Sequence, residues 1–214
     1  YFESAEINLS FNDNCNLQTE LKKLQDEVVS KVKKGASIIH LIEDLPKQGN
    51  LPINALLAVG SVHQRLVKLG LRSDANIIVT TSSARDTHQI ACLIGFGATA
   101  VYPTLAYQTI LDLTDRNELK GDAHENCSRY RKGINKGLLK IISKMGISTI
   151  SSYRGSQLFE IVGLDKDVVD LCFTNTTSRV KGKNFKNLDA QLRSIDDYAR
   201  SNLSDMNVGG LLKY

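Results

Sequence analysis

The sequence predicts an α/β fold with a parallel sheet of about four β-α units and a C-terminal helical connector. Amphipathic helices alternate with short apolar strands along most of the 214 residues. Glycines stand where helical patterns stop, as at Gly35, Gly70 and Gly146. Helices of this length between short strands indicate β-α-β crossovers, which build a parallel sheet that is covered on both faces.

Four strands are too few to close a barrel, because closure takes about eight strands. An open sheet, a partial or distorted β/α barrel, and the later half of a larger fold all remain compatible with the pattern. With 42% hydrophobic and 23% charged residues, the chain can bury one substantial core. We expect an α/β body over residues 1–173 and a connector over residues 174–214.

The first half of the chain predicts two helix–strand pairs. A helix over Leu17–Lys34 precedes a strand over Ser37–Ile42, and a helix from Pro52 to Leu69 precedes a strand over Asn76–Thr80. Pro52 is placed at the start of its helix because proline is tolerated in a first helical turn. The first helix should bury the apolar residues that recur every three or four positions: Leu17, Leu21, Leu24, Val28 and Val32.

The middle of the chain continues the alternation. Ser82 or Ser83 can cap a helix from Ala84 to Ile94, and a short strand follows at Ala98–Tyr102. Another helix runs from Pro103 to Leu113. The polar stretch over residues 114–123 is expected to be a loop.

Between Lys136 and Gly163 the sequence predicts a helix, a strand and a second helix, with very few connecting residues between them. The first helix carries an apolar stripe and ends at Gly146, a strand is expected at Ile147–Ile150, and a turn at Ser151–Gly155 begins the next helix. The apolar stripe of the first helix consists of Ile134, Leu138, Ile141 and Met145. The inward face of the second helix consists of Leu158, Ile161 and Val162.

The end of the chain is predicted to be more exposed. Residues 174–187 are rich in Thr, Ser, Asn, Lys and Gly, a last helix spans about Leu188–Leu203, and the remaining residues are loose.

Composition excludes several classes of protein. The net charge is a mild +4, and no apolar run approaches the roughly 18 to 20 residues of a membrane span. The four cysteines show no C-x-x-C pairing and the four histidines no i, i+4 pairing, so we expect no metal site. Scattered free cysteines fit a reducing cytoplasm. Tyr1 in place of an initiator methionine leads us to expect a segment of a longer polypeptide.

Two other motifs are interpreted as structural. Gly95-Phe-Gly97 follows a helix and precedes a strand, the reverse of the order in a dinucleotide-binding fingerprint. Cys92 lies one helical turn after His88, but it belongs to an apolar run, so inert packing is favoured over a reactive thiolate.

Ser151, Tyr153 and Arg154 are the pocket candidates of the sequence. They follow the fourth predicted strand, and α/β folds place ligands at the carboxyl ends of their strands. A capping role for the serine and an ion pair of Arg154 with Glu160 or Asp165 are equally compatible with the sequence.

The helix over residues 129–144 carries a charge of +6 and no acidic residue. Such a stripe can bind phosphate, so a nucleic-acid-binding module remains an alternative. A solvated face, or a surface that docks an acidic neighbouring domain, is favoured, because only Tyr130 could stack on a base.

Several separated runs resemble one known family, the large (alpha) subunit of glutamate synthase, and most closely its proteobacterial NADPH-dependent type. The runs are Leu51–Gly60, Asp74–Val79, Ser83–His88, Gly95–Pro103, Tyr130–Gly137, the Lys136–Gly163 segment with its SKMGIST and SYR motifs, and Gly209–Tyr214. They occur in the family's order and span essentially the whole chain.

The resemblance implies the later part of a central domain plus a connector toward an FMN-binding barrel. In that family a glutaminase domain releases ammonia, which reaches a barrel with FMN and an iron-sulfur cluster and yields L-glutamate from 2-oxoglutarate. Electrons come from NADPH through a small FAD-containing subunit. None of the family's catalytic, cofactor-binding or metal-binding residues has a match here, so this segment should be catalytically silent and should help to wall the ammonia passage.

The chain departs from the family's pattern at four strand ends. Ile42-Glu43-Asp44 replaces Ser-Asp-Arg, Thr80 replaces Glu, Gln89 replaces His and Thr104 replaces Tyr. Strand ends are where we expect interdomain contacts to be made. A stand-alone phosphate- or flavin-binding α/β enzyme is the remaining alternative, although the chain lacks a glycine-rich phosphate loop.

Overall fold

The computed structural model describes residues 2–43 and 47–201, and its regular elements alternate as an α/β fold. In chain order they are β1 (Ser4–Asn8), β2 (Ser10–Asn12), α1 (Leu17–Lys33), β3 (Ile38–Ile42), β4 (Asn50–Pro52), α2 (Ala55–Lys68), β5 (Asn76–Thr81), α3 (Thr87–Gly95), β6 (Ala100–Pro103), α4 (Thr104–Asp115), α5 (Ala123–Lys144), α6 (Ile150–Tyr153), β7 (Glu160–Leu164), α7 (Lys166–Cys172), β8 (Thr177–Lys183) and α8 (Phe185–Arg200).

The main sheet has four parallel strands in the order β1-β3-β5-β6, which confirms the predicted fold class. Within the described residues this sheet is open and does not close into a barrel. β2 and β4 form an antiparallel pair, and β7 and β8 a separate parallel pair. Leu41 of β3 lies opposite Val79 of β5, so the two strands share one inward face.

One face of the main sheet is more deeply buried than the other. Ile39, Leu41, Ile77 and Val79 are fully buried in a core that also contains the apolar stripes of α1 and α2. The residues between them on β3 and β5 are mostly half-buried, so the second face is only partly covered within the described residues. The predicted stripe of α1 is confirmed, since all five of its residues are buried.

The predicted strand at Ile147–Ile150 is wrong. Gly146 adopts a positive φ of 71°, and the amide of Ile147 donates to the carbonyl of Ile142, which closes the C-terminus of α5. Ile150 then begins α6, a single turn of helix. The fourth strand of the sheet is instead β1, which the sequence pattern did not reveal.

The predicted helix after Gly155 is also wrong. This segment forms β7, in which Ile161 is buried while Val162 is 75% exposed, as alternation along a strand requires. Leu158, which was expected to face inward, is exposed. β7 is stabilised by pairing with β8, which lies within the segment expected to be an exposed connection. All seven residues of β8 are exposed, as expected for this segment, but they form a strand and not an irregular connection.

Three helix starts differ from the predictions because of their capping residues. Pro52 belongs to β4, and Asn54 caps α2 by accepting from the amide of Leu56 at 3.0 Å. Asp86, rather than Ser82 or Ser83, caps α3 in a capping box with Gln89. Asn184 caps α8 in the same way with Asn187, so this helix begins at Phe185, three residues before the expected start at Leu188.

α8 is attached to the body by polar contacts. Asp189 accepts from the backbone amide of Leu17 at 3.0 Å, and Arg193 donates to the carbonyl of Cys15 at 2.7 Å. The predicted division after residue 173 stays a prediction. The expected end of the last helix at Leu203 and the tether over residues 209–214 lie outside the described residues. No helix of the described part has an apolar stretch long enough to cross a membrane.

Candidate functional site

The carboxyl ends of β3, β5 and β6 lie at one edge of the parallel sheet. All four positions at which the chain departs from the family pattern that it resembles lie at this edge or in the helices that follow it. We refer to Glu43, Thr80, Thr81, Ser83 and Thr104 as the carboxyl-edge cluster. Asp44, the last residue of the departure at Ile42-Glu43-Asp44, lies outside the described residues.

Glu43 is the centre of the carboxyl-edge cluster. Its side chain is buried, and its Oε2 accepts hydrogen bonds from the amides of Ser82 and Ser83 at 3.1 and 3.3 Å and from the Ser83 hydroxyl at 3.0 Å. The hydroxyl of Thr81, itself fully buried, also donates to this oxygen. The carboxylate therefore ties the end of β3 to the turn after β5. The two serines serve Glu43 instead of capping α3.

The other departures also have defined partners. Thr80 Oγ1 lies 2.8 Å from Nε2 of His40 on the neighbouring strand. Thr104 donates its hydroxyl to the carbonyl of Thr81 at 3.0 Å, which fixes the start of α4 on β5. Gln89 accepts from the amide of Arg85 at 2.7 Å as part of the cap of α3. The side chains of Glu43, Thr80, Gln89 and Thr104 are thus each hydrogen-bonded within the chain.

A cavity of about 230 Å³ lies beside Ser83, and its wall includes His88 and Cys92. The Cys92 Sγ is 3.7 Å from His88 Nε2. Burial and the nearby Asp86 raise the pKa of the Cys92 thiol above its ordinary value. Because a reactive cysteine needs a lowered pKa, this geometry supports the predicted inert packing.

The structure does not bring the pocket candidates Ser151, Tyr153 and Arg154 together at the carboxyl edge. They lie in and just after α6, and the amide of Gly155 donates to the carbonyl of Gly95 at 2.8 Å. Gly95 ends α3 before β6 begins, so this segment lies near the amino end of the sheet. The expected location was wrong because the strand on which it was based does not form.

The three candidate side chains have different environments. Ser151 is exposed and donates to the hydroxyl of Thr149 at 3.2 Å. Tyr153 is buried, with its ring edge-on to Phe159 at 6.3 Å. The Nε of Arg154 is buried and has no hydrogen-bond partner. Among the described residues Arg154 makes no ion pair, so the alternative of a pair with Glu160 or Asp165 is not realised.

Arg154 instead belongs to a basic cluster with His63 and Arg72 that the sequence analysis missed. Arg72 donates from Nε to His63 Nδ1 at 2.9 Å and from Nη2 to the carbonyl of Gly97 at 2.9 Å. Burial, followed by the charges of Arg72 and Arg154, lowers the pKa of His63 to about 4. Burial and Arg154 lower the pKa of Arg72 to about 10. These residues come from different elements, and no local spacing signals their contact.

The basic stripe of α5 is largely exposed. Arg129 is paired with Glu125 at 2.6 Å, whereas Lys132, Lys136 and Lys140 form no ion pair within the described part of the chain. Leu138 of the predicted apolar stripe is buried, but Met145 is exposed, and Ile142 is buried in its place. Whether the stripe binds nucleic acid or an acidic domain stays a prediction. The described residues contain no group of three or more His, Cys, Asp or Glu side chains that could hold a metal ion.

Comparison with known proteins gives a consistent result. The glutamate synthase central domain family matches residues 1–165. The chain is 38% identical to the glutamate synthase [NADPH] large chain of Bacillus subtilis over 93% of this chain and 13% of that protein. It is 35% identical to the glutamate synthase [NADH] of Saccharomyces cerevisiae over 92% of this chain and 9% of the relative.

A third relative is the ferredoxin-dependent glutamate synthase 1, chloroplastic/mitochondrial, of Arabidopsis thaliana. It is 40% identical over 84% of this chain and 12% of its own length. The chain thus spans only a small part of each relative, and the three names differ in the electron donor. The matched residues include the sheet, α5 and the basic cluster. This chain belongs to the glutamate synthase central domain family.

Proposed function

We propose that this chain is a non-catalytic central segment of a glutamate synthase large chain. In that role it holds a glutaminase domain and an FMN-binding synthase domain at a fixed separation and helps to wall the passage for ammonia between them. The observation that carries the proposal is the alignment of 93% of this chain with only 13% of a glutamate synthase large chain. A segment of that size is a part of the catalyst, and its natural contribution is geometric.

The proposal includes the reaction of the parent protein. Glutamine and 2-oxoglutarate would yield two molecules of L-glutamate, with FMN and an iron-sulfur cluster held elsewhere in the polypeptide. NADPH and a small FAD-containing subunit would supply the electrons. Four free cysteines agree with a reducing cytoplasm as the site of this work.

The carboxyl edge is the surface that we assign to interdomain contact. Glu43 links the end of β3 to the turn after β5, and Thr104 links α4 to β5. These hydrogen bonds can keep the shape of the edge constant when adjoining domains pack against it. Next to it, Tyr102 and Leu105 are 53% and 42% exposed, although apolar side chains of this size favour burial. A neighbouring domain that covers them would shield the passage from bulk water, which would otherwise protonate NH3.

Replacing Leu105 with glutamine in the intact large chain should uncouple ammonia release from glutamate formation. Losing an apolar contact is expected to weaken the interface by about 1 to 2 kcal/mol. The stability of the 214-residue chain should change by less than about 0.5 kcal/mol, because Leu105 is already partly exposed there. The measurement is the ratio of ammonium released into solution to glutamate formed, with glutamine as the nitrogen donor.

Leu69→Gln is the matched control. Leu69 is also 42% exposed, but it caps the C-terminus of α2 at the opposite edge of the sheet. We expect no ammonium leakage from this variant. Equal ratios for Leu105→Gln and the unmodified protein would count against an interdomain role of the carboxyl edge.

A further inference from the structure

A cavity of about 210 Å³ lies at the amino end of the sheet, beside the basic cluster. It is smaller than the roughly 300 to 1,000 Å³ of pockets that hold drug-sized ligands, so it suits a small molecule. Its wall contains His63 and the amide or hydroxyl side chains of Gln157, Asn175 and Thr176. No aspartate or glutamate contributes to the wall.

The hydrogen bond from Arg72 fixes the tautomer of His63. An arginine Nε–H only donates, so His63 Nδ1, which lies 2.9 Å away, must accept. The neutral imidazole therefore carries its proton on Nε2. His63 is only 8% exposed, and its Nε2 has no partner among the described residues although the ring lines the cavity. Nε2 is not one of the fully buried atoms that lack a partner, so its N–H opens into the cavity and is available to an acceptor that enters it.

The charge around His63 favours an anionic acceptor. Arg72 spends its hydrogen bonds on His63 and on the backbone carbonyls of Ala75 and Gly97, so its positive charge is not balanced by a carboxylate. Arg154 lies near enough to contribute to the lowered pKa of His63, and its buried Nε is unpartnered. Two arginines without an acidic partner in the described part of the chain make this a locally positive site.

The remaining walls define the size and polarity of the ligand. Phe96 and Phe159 stack at 5.3 Å between ring centroids and form an apolar side of the cavity. The side chains of Gln157, Asn175 and Thr176 make no hydrogen bond within the described residues, so their amide and hydroxyl groups are available to hydrogen-bond a ligand. Gly155 adopts a φ of 72°, and a Cβ there would lie 3.6 Å from His63 Nε2, so the backbone approaches the ring closely.

We propose that this cavity binds a small carboxylate or phosphate anion, whose oxygen accepts the Nε2 proton of His63 and whose charge is balanced by Arg72 and Arg154. The inference is independent of the interdomain role proposed above, because it concerns the opposite edge of the sheet. Arg154 was already a pocket candidate in the sequence, but for a different reason. The predicted strand on which that candidacy was based does not form.

The test is an NMR titration of the full 214-residue chain labelled with ¹⁵N, which has four histidines to resolve. At pH 7 the His63 ring should show the Nε2–H tautomer. Sodium acetate or sodium phosphate should shift its ring signals saturably, whereas sodium chloride of equal ionic strength should not. Saturable shifts with acetate alone would identify a carboxylate site, and shifts with phosphate alone a phosphate site. Shifts with both anions would identify a broader oxyanion site.

Arg154→Gln should weaken anion binding by about tenfold, because a positive charge near the His63 ring is removed. Arg131→Gln is the matched control, since Arg131 is exposed and lines other cavities; its affinity should equal that of the unmodified chain. Three results would overturn the proposal: an Nδ1–H tautomer, shifts no larger than those with chloride, or unchanged binding by Arg154→Gln. If Arg154→Gln fails to fold, the tautomer and the titration of the unmodified chain decide.

Discussion

Replacing Glu43 with alanine should lower the free energy of unfolding of the chain by about 3 kcal/mol. The change leaves the amides of Ser82 and Ser83 and the hydroxyls of Thr81 and Ser83 without the oxygen that accepts from them. Thr81 is fully buried, and a buried donor that loses its acceptor costs about 1 to 3 kcal/mol, whereas water can replace the acceptor of the exposed Ser83. Urea denaturation measures the effect as a lower midpoint with an unchanged slope.

Glu43→Gln and Glu27→Ala are the controls for this experiment. The amide oxygen of glutamine still accepts hydrogen bonds, so Glu43→Gln should cost about 1 kcal/mol. Glu27 is exposed on α1, and its replacement should change stability by no more than about 0.5 kcal/mol. A loss from Glu43→Ala no larger than that of Glu27→Ala would show that the carboxylate does not fasten the carboxyl edge.

Replacing Gly60 with alanine should lower stability by about 2 kcal/mol. Gly60 lies in α2 where the helix meets the end of α7, and a Cβ there would approach the carbonyl oxygen of Cys172 to 2.4 Å and the ring of Phe173 to 3.0 Å. The carbonyl is part of the backbone, so it cannot move aside as a flexible side chain would. Overpacking of a core typically costs about 1 to 3 kcal/mol. Thermal or urea unfolding provides the measurement.

Gly133→Ala is a control of the same chemistry. Gly133 also lies inside a helix, α5, but a Cβ there has no neighbour within 4 Å. Alanine should therefore stabilise the chain by about 0.5 to 1 kcal/mol through its better helix propensity. If both substitutions stabilise to the same extent, α2 and α7 do not pack as closely as described.

Much of the fold could be predicted from local periodicity. The helix at Leu17–Lys33 and the strand at Ile38–Ile42 follow from apolar spacing, and Gly35 marks the end of the first. These elements bury a continuous stripe or an alternating face, so their pattern is visible without tertiary context. β1 was missed because only Ile7 of its five residues is buried, which leaves almost no apolar signal.

Two of the failures have the same physical cause, which is pairing between distant segments. Pro52 reads locally as a helix start, yet it lies in β4 opposite Ser10 of β2. Ile161 and Val162 read as one helical face, yet pairing with β8 places them on opposite faces of a strand. Tertiary contacts of this kind override local propensity.

The candidate sites were less accessible to sequence reasoning than the fold. The sequence indicated that Glu43, Thr80, Gln89 and Thr104 depart from a family pattern at strand ends, but it gave no sign that Glu43 would accept from Thr81 and Ser83. The contact between His63 and Arg72 spans nine positions across the end of a helix and a turn. A short buried histidine–arginine contact of this kind has no spacing motif that predicts it.

The proposed non-catalytic role is tested most directly by an activity assay of the purified 214-residue chain. Ammonia release from glutamine and quenching of FMN fluorescence would both be measured on material that unfolds cooperatively. We expect a folded chain that releases no ammonia and shows no saturable quenching, because its contribution lies in positioning other domains. Turnover of glutamine, or saturable FMN binding, by the isolated folded chain would contradict the account.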